Sequence, residues 1–193
     1  MNQGPGVMTT RLDDAAPAAA VGAPGRPAPR TARLRDGRSV RVRPIRPSDA
    51  EALRAFDDGL CETCRRFRYL GWMRPLTPEW ALAMATVDFR ERFALVATAR
   101  REGREVIVAD CRLIGEPGQT AEIAIAVADD HQGVGLGPAL IVQMLSIAAG
   151  HGIEAVEGRV HYDNERMMRV LRRLGFRRTT WELGVATFLF TSA

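Results

Sequence analysis

The fold of the chain is set by residues 121–150, which read AEIAIAVADDHQGVGLGPALIVQMLSIAAG. After Glu122, residues 123–128 alternate isoleucine or valine with alanine, which is the two-residue period of a β-strand. From Leu140 the apolar residues recur at helical spacing, and Gly150 is placed to end the helix. A glycine-rich turn separates the two patterns. The sequence therefore predicts a strand, a turn and a helix in succession.

The turn has the sequence QGVGLG and covers residues 132–137. Its glycines lack Cβ atoms, so the backbone N–H groups are open to a ligand. N–H groups that lead into a helix N-terminus bind phosphate oxygens, because they donate hydrogen bonds and the helix dipole favours an anion. A turn without a ligand is disfavoured, since glycine costs backbone entropy where it is not needed. We therefore predict a ligand that carries phosphates.

Two common phosphate-binding motifs do not fit this turn. A P-loop requires Lys-Ser/Thr after its last glycine, whereas Gly137 is followed by Pro138 and Ala139. A Rossmann turn requires a third glycine, and Pro138 occupies that position. What the turn resembles is the Gln/Arg-x-x-Gly-x-Gly/Ala signature of the GNAT superfamily of N-acetyltransferases, at Gln132, Gly135 and Gly137.

The resemblance to GNAT enzymes extends beyond the turn, to RPIRPSDAE at residues 43–51, NERMM at 164–168 and LGF at 174–176. It implies an α/β (α+β) fold, with a mixed, largely antiparallel sheet flanked by helices. It also implies acetyl-CoA as the co-substrate, with its pyrophosphate in the turn and its pantetheine arm paired to the preceding strand. The implied binding residues are Ile125, Val127, Gln132, Gly133, Val134, Gly135, Leu136, Gly137 and Asn164.

Acetylation of an amine requires a base, because the unprotonated amine is the nucleophile. Glu122 is the one acidic residue on the central strand and shares a face with Ala124 and Ala126. Among apolar neighbours we expect burial to raise the pKa of this carboxyl toward neutrality. A glutamate on the surface of a strand end, with no catalytic part, is the alternative. Glu122 is our candidate for the catalytic base.

Within the GNAT enzymes the chain most resembles the bacterial Pat-type protein lysine acetyltransferases. The shared segments are residues 43–51, VDFRER at 87–92 and AEIA at 121–124. That resemblance implies a general base at Glu122 and protein substrates that include acyl-CoA synthetases. Leu171 stands where many GNAT enzymes have a tyrosine as general acid, so the acid is unassigned and Tyr162 is a distant candidate.

Three functions stay open on the sequence. The first is acetylation of protein lysines, the second is acetylation of a small amine or amino acid, and the third is a regulatory module that binds acyl-CoA without turnover. The acceptor groove falls in residues 59–88, which the resemblance does not specify. The oligomeric state is not indicated.

Composition divides the chain into two parts. Residues 1–30 are rich in Ala, Pro and Gly and contain no aromatic residue, which predicts a disordered tail. Residues 31–193 form the predicted catalytic domain. No apolar segment is long enough for a signal peptide or a membrane span, so we expect a soluble, cytoplasmic protein with no membrane partner. All 27 Lys+Arg residues are arginine, and the net charge is +4.

The remaining pattern predicts the other elements. SDAE at residues 48–51 has the form of a capping box, which starts a helix that ends near Asp58. A second helix is predicted at 61–69 and a third after Thr77-Pro78. Antiparallel strands are predicted at 93–99, 106–114 and 122–128, followed by a strand at 155–160, a helix capped by Asp163 or Asn164, and a closing hairpin.

Cysteines and arginines supply the other candidate sites. Cys61 and Cys64 have the spacing of redox and zinc motifs, but zinc needs four ligands and the other candidates are Cys111 and three scattered histidines. We therefore predict two reduced thiols without function and no metal. The arginine clusters come without an aromatic nucleic-acid motif, so no nucleic acid is expected, and they are assigned to solvent or to the 3′-phosphate of CoA. The clustered residues are Arg65, Arg66, Arg68, Arg172, Arg173, Arg177 and Arg178.

Overall fold

A computed structural model describes residues 26–71 and 75–191. Most of the predicted tail, residues 1–25, lies outside the described residues, as do residues 72–74 of the predicted acceptor segment. Arg30, the last residue of that tail, already belongs to a strand.

The described residues form eight strands and five helices. The strands are β1 (Arg30–Arg33), β2 (Ser39–Pro44), β3 (Arg92–Arg101), β4 (Arg104–Ile114), β5 (Thr120–Val127), β6 (Ala155–His161), β7 (Arg177–Glu182) and β8 (Val185–Thr191). The helices are α1 (Ala50–Asp58), α2 (Glu62–Tyr69), α3 (Pro78–Ala85), α4 (Leu136–Gly150) and α5 (Glu165–Arg173).

All eight strands belong to one sheet, in the order β1-β2-β3-β4-β5-β6-β8-β7. Neighbouring strands are antiparallel except β5 and β6, which are parallel and are joined through α4. A parallel pair requires such a crossover, because the chain must return to the same end of the sheet. The predicted mixed, largely antiparallel sheet flanked by helices is confirmed.

Two apolar cores lie on opposite faces of the sheet. One contains the helix face predicted for α4, in which Leu140, Ile141 and Met144 are buried, and it extends to Met168 and Leu171 of α5. The other is formed by α1 and α3 over β3 and β5, and its members include Leu53, Phe56, Ala81, Ala85, Val96 and Ala126. Strand β5 is therefore covered on both faces, as expected for the central element.

The start of α1 differs from the prediction. Ser48 lies in a 3-10 turn at Pro47–Asp49, and Asp49 is the residue that precedes the helix. The Asp49 carboxylate accepts a hydrogen bond from the Arg46 N–H at 2.8 Å and is paired with the buried Arg43 guanidinium at 2.7 Å. A partner on β2 therefore takes the place of the predicted capping box, which local sequence could not show.

The longest helix among the described residues, α4, has 15 residues. A membrane-spanning helix needs about 20 apolar residues. In the described part of the chain no helix combines the length and the apolar character that crossing would require.

Candidate functional site

The glycine-rich turn joins β5 to α4 by a backbone path that depends on glycine. After a 3-10 turn at Asp129–His131, Gly133 has φ of 81° and Gly135 has φ of 93°. Both values lie in the left-handed region, where a Cβ atom is strained. The second glycine immediately precedes α4, so it directs the chain into the helix.

The β1–β2 hairpin holds this turn from behind. The Arg35 N–H donates to the Val134 carbonyl at 3.2 Å, and the Arg38 guanidinium donates to the Asp130 carbonyl at 2.6 Å. His131 is buried beneath the turn, with Nδ1 2.7 Å from Asp130 Oδ1. The two hydrogen bonds from the hairpin use carbonyl groups, so the carbonyls of Asp130 and Val134 already have partners within the protein.

The amide groups of the turn are left open. Leu136 and Gly137 lie in the first turn of α4, where a helix offers no acceptor for their N–H groups. No backbone carbonyl within 26–71 and 75–191 accepts from the N–H groups of residues 133–137. Pro138 sits in the same first turn, where a missing N–H costs the helix nothing. The five residues from Gly133 to Gly137 thus present a row of open N–H groups, and for the role predicted for them this segment is called the anion-binding turn.

Gln132, also predicted to bind the cofactor, organises the turn from inside. Its amide nitrogen donates to the Val127 carbonyl at 3.1 Å, to Asp129 Oδ1 at 3.1 Å and to Cys64 Sγ at 3.3 Å. Its amide oxygen accepts from Arg166 Nη1 at 3.1 Å. The side chain therefore fixes the ends of the turn relative to α2 and α5.

Arg166 is a candidate that the sequence pattern did not single out. It lies exposed in the first turn of α5, and a Cβ atom built on Gly133 would come within 3.0 Å of its guanidinium. A guanidinium above a row of open amides favours a phosphate. The sequence signal was its position two residues after Asn164, which only the fold relates to the turn.

Strand β5 has an open edge next to the turn. Its pairing with β6 covers Thr120 to Ile123 and stops at the pair Ile123–Gly158, although β5 continues to Val127 and β6 to His161. The stretch from Ala124 to Val127, which contains the predicted residues Ile125 and Val127, pairs with β4 on its other side. Among the described strands it has no partner on the β6 side, so backbone groups there are available to an extended ligand.

Asn164 lies at the start of α5 and acts as its N-cap. The amide oxygen accepts a hydrogen bond from the Met167 N–H at 3.1 Å. This is one of the two caps that the sequence predicted for the helix. Because Arg166 follows in the first turn, the cap also positions the guanidinium that contacts Gln132.

Glu122 lies near the start of β5, beside Ile114 of β4 and Glu157 of β6. The side chain is exposed, so the burial that we expected for its carboxylate is absent. Strand geometry places its Cα about 17 Å from that of Val127, at roughly 3.3 Å per residue. The carboxylate and the anion-binding turn are thus at opposite ends of the open strand.

A buried polar group lies on the same face of the sheet as Glu122. Asp110 and Arg112 of β4 are opposite Ala126 and Ala124, and Arg112 Nε donates to Asp110 Oδ2 at 2.7 Å. Arg68 of α2 approaches the same oxygen at 3.5 Å, and Arg112 Nη1 donates to the Met84 carbonyl at 2.6 Å. These charges tie α2 and α3 to the sheet beside the open strand.

The predicted reduced cysteines lie against the anion-binding turn. Cys64 Sγ donates to Asp129 Oδ1 at 2.9 Å, and the two sulfur atoms are 2.7 Å apart. Burial raises the pKa of the Cys64 thiol to about 12, and hydrogen bonds with Asp129 and Cys61 add to the effect. The hydrogen bond from Cys64 is the main reason why the pKa of Asp129 is lowered. Asp129 was not recognised from the sequence as a partner of these thiols.

The position at which many GNAT enzymes have a tyrosine as proton donor holds a leucine in this chain. Leu171 is buried in the apolar core beneath α5. Tyr162, the distant candidate, follows β6 and is about half exposed, and its ring stacks on His161 at 4.7 Å.

Comparison with known proteins identifies the family. Residues 39–177 match the model of the acetyltransferase (GNAT) domain. The acetyltransferase PA5475 of Pseudomonas aeruginosa is 32% identical over 145 residues, which cover 74% of this chain and 77% of that protein. The acetyltransferase Pat of Mycolicibacterium smegmatis is 30% identical over 79% of this chain, and the match spans 45% of Pat.

A solved structure shows the same fold. The crystal structure of the GNAT domain of S. lividans PAT superposes with a TM-score of 0.78 at 28% identity, covering 87% of this chain and all of that domain.

Proposed function

The chain belongs to the GNAT family of acetyltransferases, whose co-substrate is acetyl-CoA, and on that premise we propose that its acetyl acceptor is the side-chain amine of a protein lysine. One observation carries the proposal for the site: the open edge of β5 leads from the anion-binding turn toward Glu122. A pantetheine arm paired to that edge would bring the thioester to the end of the strand where this carboxylate lies.

The residues have separate parts in the proposed binding mode. The N–H groups of Gly133 to Gly137 and the Arg166 guanidinium bind the pyrophosphate. The backbone of Ile125 and Val127 pairs with the pantetheine arm, as a strand would. Gln132 and Asn164 hold these elements in place through the hydrogen bonds described above.

Glu122 is the proposed base. The amine nitrogen attacks the thioester carbonyl carbon, a C–N bond forms, and the C–S bond breaks so that CoA leaves as a thiolate, which takes a proton from solvent. Glu122 accepts the proton of the ammonium group through a water molecule, which its exposed position allows. The exposed end of β5 also suits an acceptor that is a side chain on a protein surface rather than a molecule enclosed in a pocket.

The lysine acceptor rests on the sequence resemblance to Pat-type enzymes and on the similarity to Pat. An acyl-CoA synthetase is the proposed protein substrate. The competing functions are acetylation of small amines and binding of acyl-CoA without turnover. A single assay distinguishes them from lysine acetylation.

The test is CoA release from acetyl-CoA, followed with a thiol reagent that is corrected for the protein's own cysteines. The acceptors are an acyl-CoA synthetase, a lysine peptide, a panel of amino acids and small amines, and a blank. We expect release above the blank with the synthetase or the peptide and acetyl-lysine in the product. Turnover with free amines alone, or binding of acetyl-CoA without turnover, would contradict the proposal.

A further inference from the structure

Three side chains that the acetyl-transfer reaction does not use converge beside the anion-binding turn. They are Cys61 and Cys64, at the start of α2, and Asp129, in the 3-10 turn after β5. The two sulfur atoms and a carboxylate oxygen all lie within 4.8 Å of one another. The cysteines and the carboxylate come from segments 65 residues apart, so the fold creates this group.

The surroundings of the three side chains orient them toward one point. The Cys61 N–H donates to Asp129 Oδ2 at 3.1 Å, which leaves Oδ1 turned to the Cys64 thiol at 2.9 Å. The Cys64 N–H donates to Cys61 Sγ at 3.2 Å, and the Gln132 amide reaches both Cys64 Sγ and Asp129 Oδ1. Donors that hold the ligating atoms from outside are typical of metal sites.

We propose that Cys61, Cys64 and Asp129 bind one zinc ion. Two thiolates and one carboxylate are a ligand set that zinc accepts, with water in the fourth position. Binding forms two Zn–S bonds and one Zn–O bond and breaks two S–H bonds, and both protons go to solvent. No electron is transferred.

Zinc binding requires two small changes in the distances between the ligand atoms. At a Zn–S distance of about 2.3 Å, tetrahedral zinc separates two sulfur atoms by about 3.8 Å. The thiols are now 2.7 Å apart and hydrogen-bonded. Cys61 is exposed at the end of the helix, so its side chain has room to rotate outward. With a Zn–O distance of about 2.0 Å, tetrahedral zinc also separates Cys64 Sγ from Asp129 Oδ1 by about 3.5 Å. These two atoms are now 2.9 Å apart, so they move apart slightly as well.

This proposal departs from the prediction that the chain binds no metal. Zinc was set aside because the remaining cysteine and the histidines are scattered, and the structure supplies Asp129 instead. The ion would join α2 to the segment that carries Gln132, so it would brace the anion-binding turn. It adds to the proposed acetyl transfer and does not depend on it.

The experiment uses the tag-free full chain, reduced with a phosphine and freed of metal, under anaerobic conditions. Co²⁺ alone is titrated in, because cobalt bound by thiolates gives an intense charge-transfer absorption. We expect saturation at one ion per chain, displacement of Co²⁺ by Zn²⁺, and release of two protons per ion. Native mass spectrometry should show one zinc per chain.

Matched variants assign the ligands. Cys64→Ser should abolish the charge-transfer band, Cys61→Ser should weaken it, and Asp129→Asn should lower the metal affinity at least about 10-fold. Cys111→Ala and Asp130→Asn serve as controls, since Cys111 is buried elsewhere and Asp130 contacts His131 and Arg101 instead of the thiols. Both controls should bind the metal like the wild type.

Three results would overturn the proposal. The first is no charge-transfer band in the reduced wild type. The second is a band that persists in folded Cys64→Ser, or a metal affinity that is unchanged in folded Asp129→Asn. The third is a reduced protein that ignores metal but loses two hydrogens of mass in air through Cys61 and Cys64, which would make the pair a disulfide. None of these measurements needs acetyl-CoA, so failure of the zinc proposal can be distinguished from failure of the acetyl-transfer proposal.

Discussion

At the scale of single residues, a substitution at Gly137 can test phosphate binding without disturbing the fold. Its φ is not positive, and a Cβ atom there would meet Val127 and Ile125 at 3.7 and 3.9 Å, which is ordinary contact. An aspartate in the first turn of α4 also interacts well with the helix dipole. We therefore expect Gly137→Asp to fold with an unchanged or raised Tm and to lose acetyl-CoA binding in calorimetry.

The control for Gly137→Asp is Gly137→Ala, which adds the Cβ atom without the charge. It should bind acetyl-CoA, with a modest loss at most. Unchanged affinity in folded Gly137→Asp would show that phosphates do not approach this turn.

Arg166 is expected to add to that affinity through its charge. Arg166→Ala removes one charge-assisted contact, which is worth about 1.5 kcal/mol, so acetyl-CoA should bind roughly 10-fold more weakly. The loss should shrink as salt is added, because the guanidinium is exposed. Arg169→Ala is the matched control, since Arg169 is on the same helix and is paired with Glu165. Equal affinities in both variants would contradict the assignment.

Glu122→Gln tests the base. The amide keeps the size of the side chain but does not accept the proton, so we expect acetyl-CoA binding to persist and turnover to fall by about 10²- to 10⁴-fold at neutral pH. Higher pH should restore part of the rate, because more of the amine is then unprotonated.

Glu157→Gln is the control for Glu122→Gln. Glu157 is the neighbour of Glu122 on β6, so it shares the sheet position without the proposed role. Its variant should retain turnover. Near wild-type turnover in folded Glu122→Gln, with a rate-limiting chemical step, would remove Glu122 from the mechanism.

At the scale of elements, the pair between Arg43 of β2 and Asp49 joins the sheet to α1. Arg43 and Asp49 are buried, and the guanidinium nitrogen and carboxylate oxygen are 2.7 Å apart. Asp49→Asn leaves a buried charge with poorer partners, so unfolding free energy at pH 7 should fall by about 3 kcal/mol. Asp58→Asn, on the exposed side of α1, should change it little. Urea unfolding provides the measurement.

The same pair predicts how stability depends on pH. Burial alone would raise the pKa of Asp49, but the hydrogen bonds from Arg43 and Arg46 outweigh it and lower the pKa. The stability that this group contributes is therefore complete above the unfolded pKa of about 4 and is lost as the pH falls through the folded value. The difference between wild type and Asp49→Asn should shrink below about pH 4. A constant difference down to about pH 2 would contradict it.

The spacing of apolar residues and the capping residues predicted most helices and strands. They could not predict contacts between elements. The strand β5, the face of α4, and the caps Thr77 and Asn164 follow from local sequence, because spacing and side-chain hydrogen bonds within one turn decide them. The capping box at Ser48 was wrong because Arg43, on another element, pairs with Asp49. The end of the β5–β6 pairing at Ile123 could not be predicted, since it depends on how two distant strands diverge.

The candidate site was predictable to the same extent. The turn was found because glycine spacing is a local signal. Arg166 and Asp129 were missed because arginines and carboxylates are common on surfaces, and only the fold brings them to Gln132 and Cys64. The exposure of Glu122 was misjudged because its strand is central while its own position, at the start of that strand, is not covered.

At the scale of the whole molecule, the chain has no lysine, so arginine side chains alone supply the positive charge behind its net charge of +4 at pH 7. Arginine stays protonated at any pH at which proteins fold, so it offers no unprotonated nitrogen to a thioester. A lysine acetyltransferase of this composition has no lysine side chain of its own to modify. Its background in an acetylation assay should therefore be very low.

We expect the intact mass of the protein to stay unchanged after prolonged incubation with acetyl-CoA, apart from adducts at the N-terminus or at cysteine. Arg169→Lys provides the positive control, because Arg169 is exposed and a lysine there gives the enzyme one internal acceptor that a peptide map can find. A low level of acetylation at that lysine, absent in the Glu122→Gln background, would support lysine-directed transfer. Stoichiometric acetylation of the wild type at serine, threonine or tyrosine would show that the acceptor chemistry is not the one proposed. The proposed base removes a proton from an ammonium group and is not expected to remove one from a hydroxyl group.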